Sequence, residues 1–206
     1  NLFAEKERAS RYQAAADEIV EAMSEHLYSE ELGRFIRSMQ TNGDDSITAD
    51  TTIDASLFGT FYFGCYAPDD EKIVSTMKAI ETNLAAAGGI ARFENDGYMR
   101  ISDEATGNPW FLCTLWLADY YIAAAKTKQE LEKALEIIEW TADHALPSGV
   151  LAEQMNPLTG EPVSVSPLTW SHSTFVATVM NYVLKTNEIE DRNRGRNRRS
   201  NDRVKK

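Results

Sequence analysis

The chain has 206 residues, of which 43% are hydrophobic and 10% aromatic; that length and composition suit one folded domain with a sizeable core and argue against intrinsic disorder. The formal net charge is −11 at pH 7, and so acidic a body argues against nucleic acid and anionic membrane as partners. No apolar run approaches the ~20 residues of a membrane span.

The first stretch, NLFAEKERAS, carries no signal-peptide pattern and no initiator Met, so the natural start need not be residue 1. A first helix is predicted from about Glu5 to Leu27, with Tyr12, Ala16, Ile19, Met23 and Leu27 on one face at amphipathic spacing. The second, Asp54 to Tyr66, has no charge after Asp54 and is apolar all round. The third, Asp70 to Ala86, is again one-sided through Ile73, Met77, Ile80 and Leu84. The fourth, Pro109 to Ala125, is apolar and aromatic nearly throughout, with Asn108 as its cap and Pro109 at the first helical position. The fifth, Lys128 to Ala145, places Leu131, Leu135, Ile138, Ala142 and Ala145 on one stripe and opens with Thr127 and Glu130 at capping-box spacing. The sixth, Thr169 to Lys185, is mostly apolar. From Glu188 onward the chain holds eight Lys/Arg against four Asp/Glu, and residues 187–206 read as a basic, disordered tail. Cys65 and Cys113 both fall in apolar helical stretches and read as small buried hydrophobes, which fits a reducing, cytoplasmic setting.

One-striped helices belong on a surface and all-round apolar ones inside. The order is therefore outer, inner, outer, inner, outer, inner: three αα-hairpins in residues 1–186, an all-α toroid amounting to about half of a six-hairpin ring. Its two ends are expected to leave apolar inner helices uncovered. The inner-to-outer loops, APDD and AKTK, are short; the outer-to-inner loops are long and all emerge at one end. Structured loops on a rigid scaffold are where function concentrates. The segment GRFIRSM in the first long loop reads as a short strand.

The second long loop holds Gly88-Gly89, Arg92, Glu94, Asp96 and Tyr98 and runs into Asn108-Pro109-Trp110; the third holds Glu153-Gln154 and runs into Trp170. One end thus gathers carboxylates, an arginine and two tryptophans. Aromatic faces stack on the C–H faces of sugars, and Arg and carboxylates bond hydroxyls, so the set suits a carbohydrate pocket. Each residue also has a plainer reading. Trp110 and Trp170 fit a core, Arg92 with Glu94 and Asp96 an ordinary loop ion pair, and Glu153 a solvated loop acid; His172 reads as a structural histidine. No His/Cys/Asp cluster has metal-ligand spacing and no phosphate-cradling loop occurs, so neither metal nor other cofactor is expected.

The ordered set GGIARFENDGY, GNPWFLCTLWLADYY, LAEQ and PLTWSH resembles the C-terminal half of the catalytic domain of glycoside hydrolase family 15, over about residues 1–186. That family holds glucoamylases, related α-glucosidases, glucodextranases and some trehalases. The resemblance implies an (α/α)6 barrel and an inverting, exo-acting enzyme that releases glucose from α-glucans or α-glucosides. It implies Glu153 as general base, with Gln154 beside it, Arg92 and Asp96 on sugar hydroxyls, and Trp110 and Trp170 lining sugar subsites. Inversion needs two carboxyl groups about 6.5–9.5 Å apart. The family's general acid lies in a Trp- and Glu-rich motif absent from this sequence, and none of Asp50, Glu94, Asp96, Asp103 or Glu104 has a matching context. The expected partner is therefore an N-terminal half of the same enzyme, which carries the acid. Two alternatives stand beside this: a non-catalytic αα-hairpin module that binds glycan or protein through the same loops, and two copies pairing through their exposed inner helices.

Overall fold

The computed structural model describes residues 5–204, with side chains through residue 195. Six α-helices run in chain order: α1 Lys6–Ala22, α2 Gly59–Tyr62, α3 Glu71–Asn83, α4 Phe111–Ala124, α5 Glu132–Asp143 and α6 Thr169–Val204. A π-helical turn, Met23–Leu27, extends α1, and a 3-10 turn, Ala55–Phe58, leads into α2. The strands are short and pair as antiparallel ribbons: β1 Tyr28–Ser29 with β2 Arg34–Phe35, β3 Ser38–Thr41 with β4 Ile47–Asp50, β5 Ala85–Ala86 with β6 Gly89–Ile90, and β7 Gln154–Met155 with β8 Pro162–Val163. All of them lie in the long outer-to-inner loops, and GRFIRSM does contribute strand residues. The architecture is the expected partial (α/α) toroid.

The buried centre is α4. Ten of its residues, between Phe111 and Ile122, are buried on every side of the helix, as its nearly all-apolar sequence requires. Ile73, Met77, Ile80 and Leu84 of α3 pack on it with Phe35, Phe58 and Phe61. A second cluster joins Ile122 and Ala125 to Leu131, Ala134 and Ile138 of α5 and to Ile189 of α6.

Several predicted boundaries move, each for a local reason. The inner helix expected over Asp54–Tyr66 is helical only from Ala55 to Tyr62. Asp54 caps it, accepting the Ser56 N–H at 2.8 Å, and Gly64, at φ 79°, ends it; two glycines among aromatics supply little helix propensity beyond that. Helix α4 starts at Phe111, not Pro109, and Trp110 occupies the cap position with no side-chain bond. Asn108 instead cross-links two loops. The Thr127–Glu130 pair does form a capping box, with reciprocal bonds of 3.2 and 3.1 Å, but it closes a turn ahead of α5 rather than opening the helix. The buried stripe of α5 is Leu131, Ala134, Ile138 and Thr141, while Ala142 is exposed. Helix α6 passes Lys185 and continues to Val204. Ile189 is buried in the second cluster, Lys128 pairs with Glu190, and Glu188 and Glu190 face Arg192 and Arg194 one turn on; such i,i+4 pairs favour helix.

Helix α1 has no buried residue. Its stripe is amphipathic as expected, yet Tyr12 and Ile19 lie open, as do Val176, Met180, Val183 and Leu184 along α6. The two flanks of the half-ring thus carry uncovered apolar faces.

Candidate active site

Three backbone bridges bind the long loops side by side at one end of the helices: Asp54 to Phe93, Ala91 to Pro109, and Trp110 to Gln154. The loop that holds Glu153 spans from α6 to α4. On the α4 side, the Phe111 N–H donates to the Glu153 carbonyl at 3.3 Å and the Met155 N–H to the Pro109 carbonyl at 3.0 Å. Neighbouring backbone bonds of this kind leave the strand little freedom to move, so its side chains are set by the helix ends.

Register places the next contact. Gln154 pairs with Val163 and Met155 with Pro162, so Glu153 lies opposite Ser164. The Ser164 hydroxyl donates to the Glu153 carboxylate, and the Gln154 amide nitrogen lies 3.5 Å from the same oxygen. The Tyr98 hydroxyl is 3.4 Å from Ser164 Oγ. Glu153 itself is half-buried, neither sealed in the core nor free in bulk water. Gln154 is 0% exposed. Its amide oxygen accepts from Asn108 Nδ2 at 2.8 Å, and the same nitrogen donates to the Met99 carbonyl at 2.8 Å. Gln154 and Asn108 therefore lie buried and lock the third loop to the second.

Arg92 grips Asp96 with two bonds of 2.8 Å, through Nε and a terminal nitrogen. This fork geometry is specific and charge-assisted. Asp96 is 5% exposed and also accepts the Tyr98 N–H at 3.0 Å. The guanidinium lies over the rings of Trp110 at 4.4 Å, Phe93 at 4.8 Å and Tyr98 at 5.4 Å, within cation–π reach of all three. Burial pulls the Arg92 pKa down. The bonds and charge of Asp96, with smaller help from the Glu153 charge, outweigh it and hold the pKa above its ordinary value. Arg92 is thus a fixed cation whose field reaches Glu153.

Of the residues the sequence singles out, Glu153, Gln154, Arg92, Asp96 and Trp110 come together here. Trp110 is 5% exposed and serves mainly as a floor under Arg92. Trp170 stands elsewhere. It is 56% exposed and packs at 5.9 Å on Trp116, which is stacked on Phe58 at 4.2 Å. These rings line an open groove of about 520 Å³ with Ser173 and Thr174. Tyr98 and Asn108, named in the second loop without a role at the site, join it, and so does Ser164, which the sequence reading does not name. A signal for Ser164 does exist: NPLTG between AEQM and EPVS is a turn sequence flanked by strand-like residues, and a hairpin there places Ser164 across from Glu153.

The family model of glycosyl hydrolases family 15 matches residues 1–180. An uncharacterised glycosyl hydrolase of Methanocaldococcus jannaschii is 32% identical over 164 residues, covering 74% of this chain and 24% of that protein. A trehalase of Mycobacterium tuberculosis is 27% identical over 191 residues, covering 91% of this chain and 25% of that protein. The solved structure of a bacterial glucoamylase complexed with acarbose superposes with a TM-score of 0.72 at 25% identity, over 89% of this chain and 31% of that one. The chain spans about a quarter of the length of the two curated relatives. On the match of residues 1–180, the chain belongs to glycosyl hydrolases family 15.

Proposed function

We propose that this chain is the base-bearing part of an inverting, exo-acting α-glycoside hydrolase that releases glucose from α-glucans or α-glucosides. Glu153 is the general base: it takes a proton from the water that attacks the anomeric carbon. Arg92, oriented by Asp96 over the Trp110 floor, bonds sugar hydroxyls, Trp170 in its open groove offers an aromatic wall farther out, and Gln154 braces the strand beside Glu153. The general acid, which protonates the leaving oxygen, is supplied by an N-terminal half of the same enzyme. Two carboxyl groups about 6.5–9.5 Å apart then flank the bond, with room for one water.

The observation that carries this reading is the Glu153 carboxylate, half-buried and bonded by the Ser164 hydroxyl, on a backbone segment fixed to the N-terminus of α4 beside the Arg92–Asp96 pair. The Ser164 hydroxyl fixes the orientation of the Glu153 carboxylate, and a base must be held within hydrogen-bond reach of the water it activates. The trehalase and glucoamylase relatives support an α-glucoside as substrate and leave the linkage open.

The test has two arms. Glu153→Gln, in the enzyme that carries this chain together with the acid-bearing segment, lowers kcat on the cleaved α-glucoside by about 10²–10⁴-fold, and the first sugar released by the unaltered enzyme is the β-anomer by proton NMR. The 206-residue chain incubated alone with maltose, isomaltose and trehalose releases no glucose at enzymatic rates. An active Glu153→Gln enzyme overturns the base, and an active isolated chain shows that the acid lies within it.

A further inference from the structure

A general base works only where its carboxylate is held in register with the attacking water, so what pins residues 151–153 matters as much as Glu153. Their α6 side is pinned by the first turn of that helix. The Leu151 carbonyl accepts the Leu168 N–H at 3.0 Å, and the Ala152 carbonyl accepts the Ser171 hydroxyl at 2.8 Å. A third bond is of another kind. The Leu151 N–H donates to Nε2 of His172 at 3.0 Å.

The position of that bond is informative. The Glu153 N–H donates to the Val165 carbonyl at 2.9 Å. Two residues back, the acceptor of the Leu151 N–H is the imidazole nitrogen rather than a backbone carbonyl. Leu151 is buried, so without that acceptor its N–H would stay unpaired away from water, which is costly. A ring nitrogen that accepts carries no proton, so the bond specifies the neutral tautomer with hydrogen on Nδ1.

We propose that His172 is a positioning residue for hydrolysis. Its Nε2 holds the Leu151 amide, and through two residues of backbone it holds the Glu153 carboxylate in reach of the attacking water. The inference rests on the reading of Glu153 as the base. An error of about 1 Å in such a group costs on the order of 10²-fold in rate, so a bond this close to it shows in kcat.

The test exploits which nitrogen accepts. His172→Gln puts an amide oxygen at the reach of Nε2, His172→Asn puts it at the reach of Nδ1, and His172→Leu has none. Exchange of the Leu151 amide, followed by NMR in the chain, stays slow in His172→Gln and accelerates at least about tenfold in the other two. With the acid-bearing segment present, kcat on the cleaved α-glucoside falls about 10–100-fold in His172→Asn and His172→Leu, KM moves less than about threefold, and His172→Gln recovers most of the loss. Thr178→Val is the control. Thr178 lies farther along α6 and donates to Asp119 at 3.1 Å, so its loss lowers thermal stability and leaves Leu151 exchange and kcat unchanged. Equal behaviour of His172→Gln and His172→Asn overturns the proposal, as does a kcat loss no larger than the loss of folded protein; that pair also decides the matter if His172→Leu does not fold. Glu153→Gln is assayed beside them. If it is fully active, the base assignment has failed, and the Leu151 amide still reports whether His172 is the pin.

Discussion

Ser164 meets two demands at one position. Its hydroxyl donates to Glu153, and its backbone sits at φ 65°, the left-handed region where a β-carbon is crowded. The two can be separated. Ser164→Gly and Ser164→Ala both remove the hydroxyl, so both lower kcat, by roughly tenfold for one hydrogen bond to a charged group. Only Ser164→Gly also relieves the backbone, so it is the more stable of the two by about 1 kcal/mol, measured by thermal unfolding. Equal kcat in Ser164→Ala and the parent enzyme would remove Ser164 from the mechanism. Asp119 poses the reverse case. Burial raises its pKa above the ordinary carboxylate value, against the bonds from Asn181 and Thr178 that lower it. A raised native pKa means that the folded protein binds the proton more tightly than the unfolded chain. Stability from this group is therefore complete below the unfolded pKa and is lost as pH rises through the folded one. Asp119→Asn should flatten that part of the pH–stability curve and stabilise the fold at neutral pH; a variant less stable at pH 7 than at pH 4, relative to the parent, would contradict the sign. At this scale the sequence displayed Arg92, Asp96 and Glu153 because each has a distinctive side chain in a distinctive motif. It hid Ser164, Asn108 and His172, whose roles depend on a strand register and on a helix end 11 to 46 residues away along the chain.

Among the elements, the β5–β6 turn shows how little slack the loop face has. Gly88 lies at φ 83°, and a Cβ there would stand 2.6 Å from the Trp140 ring nitrogen; a Cβ on Gly89 would meet Trp140 at 2.8 Å, Pro109 at 2.9 Å and Thr114 at 2.9 Å. None of these neighbours is free to yield. Trp140 lies on α5, and the Thr114 hydroxyl of α4 accepts the Ile90 N–H at 2.9 Å while donating to the Trp110 carbonyl at 2.8 Å. Gly89→Ala is accordingly expected to destabilise the fold by about 1–3 kcal/mol, the range for overpacking a filled core, and to disturb Trp110, which adjoins that bond. A thermal midpoint within error of the parent would show that the turn can move. The amphipathic α3 and the apolar α4 were legible because hydrophobic period and burial agree along their whole length. The boundaries of α2 and α4 were not, because their ends are decided by contacts between loops. Asn108 has the composition of a helix cap, yet its amide serves Gln154 and Met99 instead, and the helix starts after it. The Thr127–Glu130 box forms the bonds its spacing predicts yet does not mark the helix boundary, since reciprocal capping bonds stabilise an isolated turn as well as a helix.

For the molecule as a whole, alternation of striped and all-apolar helices implied a ring, and counting three hairpins implied half of one. The uncovered flanks follow from that count. Val176, Met180, Val183 and Leu184 stand 50–64% exposed along one stretch of α6, and Phe63 is 77% exposed. A fully buried aliphatic side chain contributes about 1.5–3 kcal/mol, and these are already partly covered, so the α6 stretch supplies on the order of 5 kcal/mol per chain, about 10 kcal/mol for a pair, from which the entropic cost of association, itself about 4–15 kcal/mol, is subtracted. Micromolar association requires about 8 kcal/mol after the entropic cost of pairing has been met. Pairing of two isolated chains through this stretch is therefore expected to be weak, concentration-dependent and easily broken, whereas a segment shaped to cover both flanks at once would bind far more tightly. Sedimentation of the isolated chain should show reversible association that a Val176→Glu, Met180→Glu double substitution abolishes without loss of helical circular dichroism. Adding the N-terminal half of the enzyme should replace that association with a 1:1 complex, and the same double substitution should weaken the complex at least about tenfold. A chain that stays monomeric at every concentration and binds no such segment would mean that the apolar flanks are tolerated in water as they stand, and that the half-ring is not completed along this face.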